Sequence, residues 1–80
     1  MSDDRLRRIL TDILGRTAVA ETGDFSLPEA GLDSMGMIEL LSALETEFGV
    51  RVPPAEVRPE NFGSFAALTS YVDTRVGDAR

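Results

Sequence analysis

The 80-residue sequence contains neither cysteine nor histidine. Without cysteine, the chain can form no disulfide and no thiolate metal site. Without histidine, it lacks the commonest general base of enzymes and the commonest ligand of transition metals. The two absences remove the most frequent forms of acid–base and metal chemistry from consideration.

Long apolar runs are also absent. No stretch approaches the roughly 20 apolar residues that span a bilayer. The first apolar residues, Leu6 and Ile9, are separated by Arg7 and Arg8, so the N-terminal segment lacks the apolar region of a signal peptide. The sequence therefore predicts a cytoplasmic protein.

Positive charge is scarce. The chain has no lysine, eight arginines and 14 acidic residues, which gives a net charge of −6. An acidic surface repels nucleic acid and anionic membranes, so neither is expected as a partner. Proteins with basic surfaces are the natural counterpart.

The length of the chain predicts one small domain over residues 1–80, and we expect a monomer. A hydrophobic content of 42% with 28% charged residues is typical of a folded globular domain. A chain of this length buries too little to enclose a deep active-site cavity of its own.

Apolar periodicity predicts a first helix from about Asp3 to Arg16, with Gly15 as its stop signal. Its apolar stripe contains Leu6, Ile9, Leu10, Ile13 and Leu14. Periodicity then fails from Thr17 to Asp33, which predicts a long loop. Within this loop Val19, Phe25 and Leu27 are the residues expected to contact the core.

A second helix is predicted from Ser34 to about Phe48, with Asp33 as its N-cap and Gly49 as the residue that closes it. The spacing of the apolar residues predicts that its buried face contains Met37, Leu40, Leu41, Leu44 and Phe48.

Prolines delimit the segment that follows. Pro54–Arg58 is predicted to form a short helix that Pro59 ends. A last helix is expected to extend from the cap residue Ser64 to about Val76, with Phe65, Leu68, Val72 and Val76 pointing inward. The predicted fold is all-α, a small four-helix bundle of three principal helices and one short helix.

The start of the second helix carries the most specific motif, Gly31-Leu32-Asp33-Ser34-Met35. It resembles the phosphopantetheine attachment site of acyl carrier proteins, in which Asp-Ser-Leu or Asp-Ser-Met opens the second helix. The resemblance continues through Ile38-Glu39-Leu40-Leu41, Ala43-Leu44-Glu45, Glu47-Phe48 and Val52-Pro53. It covers about Leu6 to Val76, nearly the whole chain.

The resemblance implies an acyl-carrier-like bundle that is not an enzyme, with no catalytic residue and no metal. A phosphopantetheinyl transferase would move 4'-phosphopantetheine from coenzyme A to the Ser34 hydroxyl, and the cofactor thiol would hold an acyl or aminoacyl group as a thioester. Asp33 would cap the helix and orient the transferase complex. On local sequence alone, a serine after aspartate at a helix start, such as Ser34, is more often simply part of a helix cap.

The second helix would also be the recognition helix. By resemblance, Glu39 and Glu45 contact arginines and lysines of partner enzymes, while Met35, Ile38 and Ser42 complete the partner-binding surface. Those partners would be the transferase, a loading ligase or acyltransferase, and condensing or modifying enzymes. The alternative interpretations are a solvated acidic face and, for Met35 and Ile38, the edge of the core.

The sequence departs from the pattern of fatty-acid carriers. Gly36 and Thr46 stand where acids are common, Ser42 stands where a methionine is common, and Arg58-Pro59-Glu60-Asn61 is longer than usual. Asp33 in place of a histidine disfavours a typical peptidyl carrier. Asp33-Ser34-Met35-Gly36 and Phe48-Gly49-Val50 resemble D-alanyl carriers.

These features predict a free-standing carrier in polyketide or mixed polyketide–nonribosomal peptide biosynthesis, including antibiotic biosynthesis. A primary fatty-acid or D-alanyl carrier is the alternative within the class. An unmodified helical interaction adaptor is the alternative outside it. A small serine hydrolase is disfavoured, because no strand precedes Ser34 and no histidine can act as its base.

Overall fold

Each predicted apolar stripe lies on an α-helix. The computed structural model describes residues 3–19 and 23–78, so the domain boundaries at residues 1 and 80, and residues 20–22 of the predicted loop, lie outside the described residues. The helices of the described residues are α1 (Asp3–Leu14), α2 (Ser34–Phe48), α3 (Pro59–Phe62) and α4 (Phe65–Asp78). With no strand in these ranges, the predicted all-α fold of three principal helices and one short helix is confirmed.

The core forms where the stripes of α1, α2 and α4 meet. Leucines dominate it because they fill the space between helices without placing a polar atom there, and each fully buried one contributes about 1.5–3 kcal/mol. Met37, Leu41, Phe48 and Val76, predicted to face inward, are partly buried and pack against this core. The fully buried side chains are Leu6, Leu10, Leu27, Leu40, Leu44, Leu68 and Val72.

The long segment between α1 and α2 is attached to the start of α4. The Phe25 ring stacks on the Phe65 ring with centroids 5.3 Å apart. The Phe65 N–H donates to the Phe25 carbonyl at 2.9 Å, and the Leu27 N–H donates to the Gly63 carbonyl at 3.2 Å. These contacts hold Leu27 in the core and fix the approach of the chain to α2.

Glycine and serine define three helix ends much as predicted. Gly15 has φ 99°, a left-handed conformation that ends α1 at Leu14, two residues before the predicted end. Gly49 has φ 68° and closes α2. The Ser64 hydroxyl accepts the Ala67 N–H at 3.1 Å and so caps α4.

The prediction for the proline-rich segment was correct in part. A short helical turn with proline in its first position does form there, but it is a 3₁₀ turn that covers only Pro54–Glu56, and Pro59 begins α3 instead of ending a helix. A proline fits the first position of a helix because its missing N–H would have no intrahelical partner there. The Phe62 N–H donates to the Arg58 carbonyl at 2.8 Å, which shows that the helix starts around Pro59.

Side chains of α4 hold the 3₁₀ turn in place. The Tyr71 hydroxyl donates to the Glu56 carboxylate. Arg75 Nη1 lies 3.7 Å from Glu56 Oε1, and its Nη2 donates to the Arg51 carbonyl at 2.9 Å. The long connection from α2 to α3 is thus fastened at its middle.

None of the described helices has the length and apolar character needed to cross a lipid bilayer.

Tyr71 titration tests this contact. Burial of Tyr71, then its hydrogen bond to Glu56 and the charge of Glu56, raise the pKa of Tyr71 to about 12, although Arg75 opposes the shift. The folded state therefore keeps the phenolic proton more tightly than the unfolded state. The Tyr71 contribution to stability should be complete below about pH 10 and be lost as the pH rises toward 12.

The measurement is tyrosinate absorbance with parallel denaturant unfolding at each pH. The alkaline titration can be assigned to Tyr71, because the chain has one tyrosine and no lysine, histidine or cysteine. Tyr71→Phe should abolish the alkaline dependence and cost about 1 kcal/mol at neutral pH. A midpoint near the ordinary tyrosine value would show that the hydroxyl does not bond Glu56.

Candidate functional site

The segment before α2 leads from the buried residue Leu27 to Ser34 on the surface. Leu27 is fully buried, and a turn follows in which the Gly31 N–H donates to the Pro28 carbonyl at 3.0 Å. The Leu32 N–H then donates back to the Leu27 carbonyl at 3.0 Å. Ser34 is therefore only a few residues from the core and has a fixed position.

Asp33 caps α2 as predicted. Its backbone is extended, with φ −108° and ψ −170°, and its Oδ1 accepts the Gly36 N–H at 2.8 Å. The Asp33 carbonyl accepts the first helical bond, from the Met37 N–H at 2.8 Å. The carboxylate therefore stabilises the first turn, typically by about 1 kcal/mol.

Ser34 is the first residue of α2 and is exposed. Its hydroxyl makes no hydrogen bond within residues 3–19 and 23–78. The first N–H groups of a helix have no intrahelical partner and favour an anion. An accessible hydroxyl beside the positive end of a 15-residue helix fits a phosphodiester attached at Ser34.

Two exposed apolar side chains accompany Ser34. Met35 is 70% exposed and Ile38 is 65% exposed, the large apolar side chains with this property in the described part of the chain. Ser42 and Glu45 are also exposed. Ser42 lies four residues after Ile38, and Glu45 lies three residues after Ser42, which places all three on the same side of α2. We name Met35, Ile38, Ser42 and Glu45 the outer stripe.

The acidic residues of α2 occupy different surroundings. Glu45 lies 4.0 Å from Arg51 Nε, but both side chains are well exposed, so this ion pair contributes little. Glu47 forms a closer ion pair with Arg5 of α1, in which Arg5 Nη2 lies 3.1 Å from Glu47 Oε2. Glu39 lies beside the outer stripe on the side that faces α1, and is exposed.

A groove separates α1 from α2. Its main part has a volume of about 520 Å³ and is lined by apolar residues of both helices and by Asp12, Glu39 and Ser42. A smaller cavity of about 250 Å³ lies beside the Asp33–Gly36 turn. Both cavities are lined by Ile13 and Glu39, so they adjoin each other at these two side chains, and we name the two together the α1–α2 groove.

Two residues that shape this groove, Gly36 and Asp12, were not predicted as site residues. Gly36 was noted only as a departure from an acidic position, yet it is buried, and a Cβ atom on it would lie 3.4 Å from Ile13 Cγ2. Its position four residues before buried Leu40 was a signal that it faces α1. Asp12 gave no signal, because its role depends on how α1 packs on α2.

A separate cavity of about 210 Å³ lies between α2 and the Val57–Gly63 region. Met37, Phe62 and Pro28 contribute to its apolar lining. It does not include Ser34 or the outer stripe.

Comparison with known proteins identifies the family of the chain. The family described as phosphopantetheine attachment site matches residues 4–72. The chain is 35% identical over 78 residues to Aminoacyl carrier protein 1 of Bradyrhizobium diazoefficiens, covering 95% of this chain and 87% of the relative. It is 39% identical over 77 residues to Acyl carrier protein of Zymomonas mobilis, covering 91% and 95%.

A third relative is much larger. The chain is 44% identical over 57 residues to Phthioceranic/hydroxyphthioceranic acid synthase of Mycobacterium tuberculosis, which covers 66% of this chain but 2% of the synthase. No solved structure is significantly similar to the chain. Because the family match extends from α1 into α4, the chain belongs to the phosphopantetheine-binding acyl carrier protein family, whose members are non-catalytic carriers with covalently bound 4'-phosphopantetheine.

Proposed function

We propose that Ser34 is the attachment residue and that the chain carries acyl or aminoacyl intermediates as thioesters in polyketide or mixed polyketide–nonribosomal peptide biosynthesis. The observation that carries the assignment is the exposed Ser34 hydroxyl at the first position of capped α2, inside a phosphopantetheine attachment domain. The proposal includes a cytoplasmic location and a single monomeric carrier domain over residues 1–80.

Two observations support the biosynthetic setting. The relatives include free-standing acyl and aminoacyl carriers and a segment of a much larger acid synthase. The acidic face of α2 is also reduced, since the exposed residue Thr46 replaces an acid that fatty-acid carriers commonly have. A reduced acidic face favours partners other than the enzymes of primary fatty-acid synthesis.

The residues around Ser34 would hold and present the arm without any chemistry of their own. The first turn of α2 stabilises the phosphodiester charge, and Asp33 keeps that turn formed. The thiol at the end of the arm forms the thioester with the cargo. Tethering then raises the effective concentration of the cargo at each partner enzyme.

The outer stripe together with Glu39 is the proposed partner surface. Met35 and Ile38 supply apolar contact area next to Ser34, while Glu39 and Glu45 attract basic residues. The partners are a phosphopantetheinyl transferase, a loading ligase or acyltransferase, and condensing or modifying enzymes. A D-alanyl or primary fatty-acid carrier would use the same surface with other partners.

The first test is the intact mass after incubation with coenzyme A and a broad-specificity phosphopantetheinyl transferase. Wild type should gain one phosphopantetheine, and Ser34→Ala should gain none while retaining its helical circular dichroism, because the side chain is exposed. Ser70→Ala, which changes an exposed serine on α4 outside the proposed partner surface, should be modified like wild type. Modification of Ser34→Ala would place the arm elsewhere, and no modification of wild type would favour the interaction adaptor.

Asp33 has two proposed tasks that two variants separate. Asp33→Ala should lower the unfolding free energy by about 1 kcal/mol, because the Gly36 N–H loses its acceptor. Asp33→Asn should retain the cap and stability, since asparagine caps equally well. Both variants should slow loading by the transferase roughly tenfold if the carboxylate contacts that enzyme. If Asp33→Asn is loaded at the wild-type rate, the carboxylate has no role in the transferase complex and Asp33 serves only as a helix cap.

Glu39 tests the recognition role. Glu39→Arg should reduce kcat/KM for transfer of the arm about tenfold at low salt and less at high salt, because charge reversal at an exposed rim slows association. The melting temperature should not change, since Glu39 is exposed. Glu60→Arg is the matched reversal on α3 and should transfer normally. Equal kinetics for the two variants would exclude Glu39 from recognition.

A further inference from the structure

The α1–α2 groove begins beside the attachment residue. Asp33, Met35 and Gly36, the neighbours of Ser34, line its smaller cavity. Ile13 and Glu39 then join this cavity to the larger part of about 520 Å³. A group attached at Ser34 can therefore enter the groove without crossing the helix.

Glycine keeps this entrance open. A Cβ atom at position 36 would lie 3.0 Å from Leu32 Cδ1 and 3.4 Å from both Asp33 Oδ1 and Ile13 Cγ2. Any larger side chain would occupy the space between Ile13 and Asp33, which are both walls of the smaller cavity. The depression beside Ser34 depends on the absence of a side chain at Gly36.

The groove combines an apolar floor with a negative rim. Ile9, Ile13 and Ala43 supply apolar surface from the two helices. Asp12 of α1 and Glu39 of α2 are exposed at the rim, and within the described ranges neither is in an ion pair. Glu47 also lines the groove, but Arg5 neutralises it at 3.1 Å. Asp12 and Glu39 are thus acidic groove residues that have no ion-pair partner within the described ranges.

The length of the arm matches this location. Phosphopantetheine has about as many chain atoms as five peptide residues and extends ~17 Å. The helix rises ~12 Å from Ser34 to Ser42, so the tip of the arm reaches the middle of the groove with slack. Both rim carboxylates are within the reach of a small cargo held there.

We propose that the α1–α2 groove holds the loaded end of the arm and favours an aminoacyl cargo, whose free ammonium group lies between Asp12 and Glu39. The inference rests on the proposed attachment at Ser34. Opposite charges favour the ammonium, and the apolar floor accepts a small side chain. A long alkyl chain suits this groove poorly, because it would lie against carboxylates in an open depression.

The experiment compares two cargoes that differ only in the amino group. Wild type is loaded by the transferase from coenzyme A analogues that carry alanyl or propionyl groups through a stable amide, and intact mass verifies each product. Amide chemical shifts are then recorded by NMR. We expect alanyl, more than propionyl, to perturb the signals of Ile9, Asp12 and Ile13 on α1.

Asp12→Asn is the decisive variant, because Asp12 lies on α1 and outside the proposed partner surface. It should load fully but reduce the docked alanyl population about fivefold, the effect of one charge pair at close range in water. Asp4→Asn, on the same helix but not lining the groove, should behave like wild type.

Three outcomes would overturn the inference. Equal perturbation of α1 by both cargoes would exclude recognition of the ammonium. Perturbation of Met37 and Phe62 without α1 would place the cargo in the cavity between α2 and α3. Failure of wild type to gain mass would instead contradict attachment at Ser34 itself, and the inference would fall with it.

Discussion

The hydrogen bond between the Asp33 carboxylate and the Gly36 N–H determines where α2 begins, and the other features of the site depend on that starting point. A helix that began earlier or later would take Ser34 away from the helix end, where the N–H groups without an intrahelical partner lie. Leu27 and the turn before Asp33 make this start reproducible, because they connect it to the fully buried part of the molecule.

A chain of 80 residues has little stability to spare, so its long connections need anchors. Both connections are held in place by contacts with α4. The segment before α2 is held by the Phe25–Phe65 stack, and the segment after α2 is held by Glu56 through Tyr71 and Arg75. Besides its share of the core, α4 therefore holds the two connections that flank α2.

Sequence reasoning predicted the parts of this arrangement that depend on local chemistry. The periodicity of α1 and α2, the cap at Asp33 and the stop at Gly49 follow from the residues themselves. Pro59 was misread because the same residue fits the start of a helix and the end of the preceding one. Gly36 gave only the signal of its spacing from Leu40, and Asp12 gave none, since the groove that they line exists only once α1 has packed on α2.

Glu39 lies on the boundary between the outer stripe and the α1–α2 groove, so the two proposals concern the same carboxylate. An arginine of a partner enzyme that pairs with Glu39 removes one of the two charges that hold the ammonium of the cargo. Asp12 alone then retains the cargo, with less electrostatic attraction than the two carboxylates provide together. Docking of a partner on α2 would therefore weaken retention of the cargo by charge competition, and the helices need not move for the cargo to leave the groove.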